Sequence, residues 1–342
     1  MSRLNLNALT QWVTAAAIRH PNRLDAELAA HAQVSLRTAR CALKRLAELN
    51  WLANTGSPRR PSYRPGLLRQ VVHRYALAGL EEDTPWQLDF APFFALPPAV
   101  NRMVQHAFSE LLNNAIDHSG GSHVTVSLRQ TASHVQLLVS DNGCGLFQNI
   151  AQAFAIDSPQ LAMLELSKGK LTSQPQRHSG HGLFFTSRLA EVFDLHANAA
   201  AFQKRAWDGQ GWHERRALKH EGTSVYASFA LDTPRTLEAV RKAHSLDGLG
   251  AGFERTVVPL RMLTSVVTGL ESRAQARRVG SRLSEFQRVE LDFSGVADVG
   301  HAFADELLRV LACNAPAVEL VPMNMSPAVA AMVRSVSVSS MT

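Results

Sequence analysis

The stretch Ser109-Glu110-Leu111-Leu112-Asn113-Asn114-Ala115-Ile116-Asp117-His118 decides how the chain is read. At about 100° per residue on a helix, Glu110, Asn114 and Asp117 fall within roughly 60° of one another. Leu111, Leu112, Ala115 and Ile116 lie on the other side, where a core would be. One helix therefore presents a carboxylate, an amide oxygen and a second carboxylate on one line. A magnesium–triphosphate site needs hard oxygen ligands and a base to orient water. Asp117 carries a second reading, as a local cap or pairing partner.

Working outward, Val124 to Leu128 and Val135 to Val139 alternate or run apolar, as paired strands do. The second run ends in Asp141-Asn142-Gly143-Cys144-Gly145. An aspartate at a strand end can accept a hydrogen bond from an adenine amino group, and glycines let the backbone approach a base closely. Ser179-Gly180-His181-Gly182-Leu183 then opens an apolar helix read from Phe184 to Val192. Backbone N–H groups at such a helix start can hold phosphates. Glu221-Gly222-Thr223-Ser224 leads into a strand from Val225 to Leu231.

The order E-x-x-x-N-A-x-D, D-x-G-x-G, G-x-G-L, G-T resembles the GHKL superfamily of gyrase, Hsp90, MutL, histidine kinases and anti-sigma serine kinases. The resemblance implies a Bergerat-type α/β sandwich over 86–232 with an ATP lid at about Leu146 to Ser179. It implies ATP and Mg2+ as cofactors, with Asn114 on magnesium, Asp141 on adenine and Glu110 as catalytic base. Gly143, Gly145, Gly180 and Gly182 would shape the pocket, and Thr223 would close it. His118, His178 and His181 would either touch phosphate or sit idle near a loop. Lys168 and Lys170, in the lid, would either pair with a phosphate or be solvated. The histidine-kinase branch fits least, because that branch usually has asparagine where Glu110 stands.

Toward the N-terminus, Leu28 to Ser35 is followed by Leu36, Ala39, Leu43, Leu46 and Leu49 at helical spacing. Ser35 is a suitable N-cap. A short helix, a turn at Gln33–Val34 and a second capped helix make a helix-turn-helix. That helix leaves Arg37, Thr38, Arg40, Lys44 and Arg45 off its apolar stripe, where they can reach phosphates or base edges. Trp51 to Asn54, a loop with Arg59 and Arg60, and Ser62 to Arg64 resemble the wing of a winged helix-turn-helix. Over residues 1–66 the chain has ten Lys or Arg against Asp25, Glu27 and Glu48, a balance that favours duplex DNA. Residues 67–85 read as a connecting helix.

Beyond a glycine-containing linker, Asp247 to Gly252, residues 255–342 alternate strand and helix, which implies a largely parallel sheet. The run Leu291-Asp292-Phe293-Ser294-Gly295-Val296, followed by Phe303 to Leu307, resembles a STAS-like domain, a possible docking surface for a protein partner. Gly300, His301 and Ala302 occupy the place of the usual phospho-accepting serine, and Ser294 reads as structural.

The fold class expected is thus multidomain α/β: winged helix-turn-helix, Bergerat-type sandwich and STAS-like domain. The composition fits: 342 residues, 46% hydrophobic, 19% charged and a net charge of +6. Cys41, Cys144 and Cys313 are far apart, which argues against a disulfide framework or zinc site and fits a reducing cytoplasm. No apolar run approaches the roughly 20 residues of a membrane span. The leading functional expectation is a cytoplasmic regulator in which ATP occupancy alters conformation, homodimer formation or DNA binding. The alternatives are a serine/threonine kinase of the anti-sigma type (or a simple ATPase), and a non-catalytic scaffold.

Overall fold

The computed structural model describes residues 4–338, apart from 58, 157, 175, 177, 178, 209, 210 and 265–268. They divide into two compact units. The first comprises residues up to Gly143 plus Ser224–Pro234, and the second comprises Cys144–Thr223 plus the residues from Arg235 onward.

The first unit opens with three helices, α1 (Leu6–Arg19), α2 (Leu24–Ala32) and α3 (Leu36–Glu48). Their shared core includes Val13, Leu28, Leu43 and Leu46, all fully enclosed. Ser35 caps α3, its side chain accepting from Thr38 N at 3.1 Å. Gln33 takes the left-handed conformation (φ 52°) that the turn between α2 and α3 demands, the place where glycine would be unstrained. The short strands β1 (Leu52–Asn54) and β2 (Tyr63–Pro65) pair antiparallel, with Arg59 and Arg60 in the loop between them. On α3 the apolar stripe is Ala39, Ala42, Leu43 and Leu46, whereas Leu36 and Leu49, expected on it, are exposed.

The expected connecting helix over 67–85 is replaced by strand β3 (Arg69–Ala76) and a short helical stretch that begins with α4 (Asp83–Pro85). The β-branched and aromatic residues Val71, Val72 and Tyr75 favour extended backbone. All eight strand residues find partners on β4 (His123–Gln130), some fifty residues downstream. Helix α1 backs this strand, with Thr14 Oγ1 accepting from Gln70 N at 3.0 Å.

The long helix α5 (Pro98–His118) precedes β4 and β5 (His134–Asp141). With β9 (Thr223–Ala230) these give an antiparallel order β3-β4-β5-β9 in the first unit. Helix α5 lies against β5 through its apolar side, where Leu111, Leu112 and Ala115 are buried.

The second unit holds α6 (Leu146–Phe154), α7 (Pro159–Lys168) and α8 (Gly182–Leu189). Helix α8 stops short of its expected end, because Val192 starts β6 (Val192–Ala197). Strands β6, β7 (Ala200–Arg205) and β8 (Trp212–Glu214) pair antiparallel in that order. After α9 (Leu237–Ala243) come β10 (Arg255–Pro259), α10 (Arg273–Gly280), β11 (Arg288–Asp292), α11 (His301–Asp305), α12 (Leu311–Asn314), β12 (Glu319–Met323) and α13 (Pro327–Val338). Strands β10, β11 and β12 are parallel and adjacent in that order, as the alternation implied. One continuous core joins this sheet to Leu164 of α7 and to Phe184 and Phe185 of α8.

His244 sits within that core, its ring edge-on to Phe184 at 4.8 Å and its Nδ1 3.0 Å from the Arg255 carbonyl oxygen. Burial first, then the charge of Arg188, push its pKa down from 6.5 to about 3. The unfolded chain therefore takes up a proton before the folded one does, and stability falls as pH drops from about 6.5 toward 3. Between about pH 7 and pH 5 this group alone should cost about 2 kcal/mol. Urea unfolding at both pH values checks this, and His244→Gln should flatten the difference. An unchanged slope in the variant would assign the acid sensitivity elsewhere.

Candidate nucleotide site

Each unit carries a share of the motif residues. In the first unit Glu110, Asn114 and Asp117 lie on α5, all half-buried, on the side away from Leu111, Leu112 and Ala115. His106, one turn before Glu110, brings Nδ1 to 3.8 Å from Glu110 Oε1. His118 is the last residue of the helix.

Asp141 ends β5 and is buried, at 6% exposure. Its Oδ1 accepts from Gly143 N at 2.9 Å, so the carboxylate shapes its own loop. A side chain on Gly143 would meet the Ser119 carbonyl oxygen at 2.0 Å. Only glycine lets the loop pass this close to the end of α5. Asn142 was not singled out from the sequence, yet its Oδ1 accepts from Ser122 N and His123 N, both at 3.0 Å. The residue type is the signal that was available: Asn and Asp side chains commonly bond nearby backbone in turns.

In the second unit Gly145 is the N-cap of α6 with φ 89°, and a side chain there would strike Asn198. Thr223 Oγ1 accepts from Leu146 N at 3.0 Å, satisfying a first-turn donor of α6. Asn198 is a second residue that sequence reading passed over. Its Nδ2 donates to the Cys144 carbonyl at 2.7 Å and its Oδ1 accepts from Gly222 N at 3.0 Å. It thereby ties the end of the D-x-G-x-G motif to the G-T motif. It occupies the left-handed corner between β6 and β7 (φ 51°), a position asparagine tolerates.

Gly180 has φ 67°, and a side chain on it would meet the backbone of Lys170 and Leu171 at 2.6 to 2.7 Å. His181 is the N-cap of α8 and Gly182 its first residue. The His181 ring is edge-on to Phe253 at 5.0 Å and to Phe185 at 5.9 Å. Burial, then the nearby Lys170 and Arg241, lower its pKa, which favours the neutral ring. His178 lies outside the described residues.

The lid segment departs from expectation. Among its described residues are two helices, α6 and α7, and Lys168 is not solvated but fully buried. Its Nζ donates to Glu165 Oε1 at 2.5 Å and to the Ser281 carbonyl at 2.8 Å. Lys170 Nζ donates to the Glu285 carbonyl at 2.6 Å and stands 4.5 Å over the Phe286 ring. The buried Lys168 ammonium needs such partners, because burial of a charge demands them, whereas Lys170 is only half-buried.

Of the residues assigned to DNA, Arg37, Thr38, Arg40 and Lys44 are exposed on α3, and Arg59 and Arg60 are exposed in the β1–β2 loop. Arg40 is paired with Asp25 at 2.8 Å, and Thr38 Oγ1 lies 2.9 Å from Ser35 Oγ. In the C-terminal part, Ser294 Oγ donates to Asp292 Oδ1 at 2.7 Å, holding the turn after β11.

Residues 99–233 match the family model described as histidine kinase-, DNA gyrase B-, and HSP90-like ATPase. Residues 275–330 match a STAS-like domain of unknown function. The chain therefore carries a segment of the GHKL ATPase type and, after it, a STAS-like segment. A comparison with curated proteins finds no match. No helix among the described residues is long and apolar enough to cross a membrane.

The hydrogen bond from Gly143 N makes Asp141 a structural residue in the absence of any nucleotide. Asp141→Ala should lower the stability of the empty protein by about 1.5–3 kcal/mol, the worth of a buried bond to a charged group. Asp141→Asn retains an acceptor for the loop and should cost less. Chemical denaturation of both variants compares them, and equal stabilities would remove this loop role.

Proposed function

We propose that the segment matching the GHKL ATPases binds Mg-ATP, and that occupancy regulates what the N-terminal helices and hairpin do, namely bind duplex DNA. The observation that carries the first part is the oxygen line Glu110, Asn114 and Asp117 on α5, within a segment that matches those ATPases. Among the described residues no cluster of three or more His, Cys, Asp or Glu is built to hold a metal by itself. Magnesium is commonly held by one or two protein oxygens together with nucleotide phosphates, and a single line of hard donors fits that mode.

In this reading the Asn114 amide oxygen ligates magnesium, and Asp141 accepts from the adenine amino group. Gly143 and Gly145 let the backbone approach the base. The backbone N–H groups at Gly180, His181 and Gly182 face phosphate, and Thr223 holds the start of α6. Asp117 joins the same polar line. Bound magnesium would supply charge neutralisation at the phosphates. Glu110 holds a water or hydroxyl and takes its proton, the role of a general base.

Two activities follow from the same Glu110: hydrolysis, or transfer to a serine or threonine of a separate protein. The STAS-like match favours keeping the second, because anti-sigma-type kinases act on STAS partners. This chain has Gly300, His301 and Ala302 where an acceptor serine would stand, so an acceptor would lie on another molecule. The DNA reading is supported by exposed cations on one helix and one loop, Arg37, Lys44, Arg59 and Arg60.

Glu110→Gln should retain Mg-ATP binding and lose about 10²–10⁴-fold in turnover, whereas Asn114→Ala should weaken binding itself. Calorimetric affinity and phosphate release for both variants decide between a catalytic site and a sensor. Equal turnover in wild type and Glu110→Gln would leave only the sensor.

For the N-terminal elements, the whole chain should bind duplex DNA with affinity that falls steeply with salt. Replacing Arg59 and Arg60 by alanine should flatten the log–log slope by up to roughly two units. Binding that is absent or salt-independent would redirect these elements to protein contacts.

A further inference from the structure

Helix α7, within the segment that the resemblance makes a lid, packs into the core of the STAS-like domain. Leu164 of α7 and Phe184 and Phe185 of α8 belong to the same core as Val258, Val289 and Leu291 of the parallel strands. Thr256 Oγ1, on β10, donates to the Lys168 carbonyl at 2.6 Å. The buried Lys168 ammonium bonds the Ser281 carbonyl in the turn after α10. Arg282, in that same turn, reaches back to Glu165 Oε2 at 3.4 Å and to the Gly169 carbonyl at 3.1 Å. Arg282 also takes a left-handed backbone (φ 61°), which a non-glycine residue holds only when its surroundings enforce it.

Lys170 connects this assembly to the phosphate loop. Its backbone lies so close to Gly180 that a side chain on the glycine would overlap it. Its ammonium is bound to the Glu285 carbonyl and rests on Phe286. One residue thus touches the glycine loop with its backbone and the STAS-like turn with its side chain. Gly169 is equally confined, because a side chain there would strike the Phe253 ring at 2.6 Å.

We infer that the STAS-like domain is the built-in partner of the nucleotide site, with Lys170 and Arg282 linking the glycine loop and lid helix α7 to the turn at residues 281–286. The inference rests on the Mg-ATP reading above. Nucleotide that repositions the Gly180 loop displaces the Lys170 backbone, and with it the Glu285 carbonyl and the strained Arg282. Linkage is reciprocal, so whatever grips the 281–286 turn changes nucleotide affinity by the same factor. The domain that resembles a kinase substrate acts here as the reporter of occupancy.

Hydrogen exchange on the full-length protein, with and without a non-hydrolysable Mg-ATP analogue, tests this. Nucleotide should change the protection of amides in 278–290 in the wild type. Lys170→Met keeps a side chain on Phe286 but removes the donor, and should abolish that change. Arg282→Gln lies outside the GHKL match and should alter analogue affinity by about fivefold or more. Circular dichroism and thermal unfolding establish that each variant is folded. If Arg282→Gln fails that check, Lys170→Met carries the test alone, through the exchange of 278–290. Analogue binding with 278–290 unchanged, and wild-type affinity in the folded variants, would overturn the linkage and leave the nucleotide site standing. Absence of analogue binding to the wild type would overturn both.

Discussion

The Lys168 ammonium has no access to solvent, and the second unit is arranged around that fact. A buried cation is tolerated only with a counter-charge and hydrogen-bond acceptors around it. Glu165, one turn earlier on α7, supplies the charge, and the Ser281 and Arg278 carbonyls complete the set. Those two carbonyls come from the end of α10 and the residue after it, so the demands of one ammonium fix where α7 sits against the STAS-like sheet. Glu165 in turn needs a second cation, and Arg282 provides it. The pairing fixes α7 in place against the end of α10.

The aromatic cluster beside it extends the same constraint to α8. Phe253 contacts Phe184 at 4.4 Å and Phe185 at 5.2 Å, and His181 packs edge-on against it. Arg188 is enclosed in this region, 3.3 Å over the Phe184 ring, and burial brings its pKa down to about 9. It donates to the Phe184 and Ser167 carbonyls, so a residue of α8 bonds the C-terminal turn of α7 directly. Helices α7 and α8 and the STAS-like sheet therefore share one core, although the GHKL match ends at 233 and the STAS-like match starts at 275.

What was legible in the sequence was local. The polar line on α5, the β4 and β5 strands and the Ser35 cap each follow from residues within a few positions of one another, and the parallel strands β10 to β12 follow from the alternation of strand and helix. Apart from the exposed Leu36 and Leu49 at the ends of α3, the main failures are non-local. Residues 69–76 read as helix because the partner that makes them a strand, β4, lies about fifty residues on. The burial of Lys168 was not legible because, besides the local Glu165, two of its acceptors lie 110 or more positions away. Asn198 carried no motif, and only the fold sets its side chain between Cys144 and Gly222. Strands β6, β7 and β8 were unassigned, the first hidden behind the helix that was read to run through Val192.

The same buried ion pair bears on why the two segments are joined by charge at all. Replacing a buried pair with apolar residues of equal volume is often neutral or even stabilising, so stability alone does not account for Lys168 and Glu165. Leu164 and its neighbours already supply apolar contact across this junction. Apolar contact is non-directional, however, and by itself specifies register less sharply than a set of hydrogen bonds to named atoms. An ammonium bound to one carboxylate and two named carbonyls has one satisfactory register, and a shift of one residue along α10 breaks it. Arg282, with bonds to both Glu165 and Gly169, repeats that specification from the other side. The charges here therefore set position more than they add strength, and a fixed position is what a displacement of the Gly180 loop must work against to be felt in the STAS-like domain.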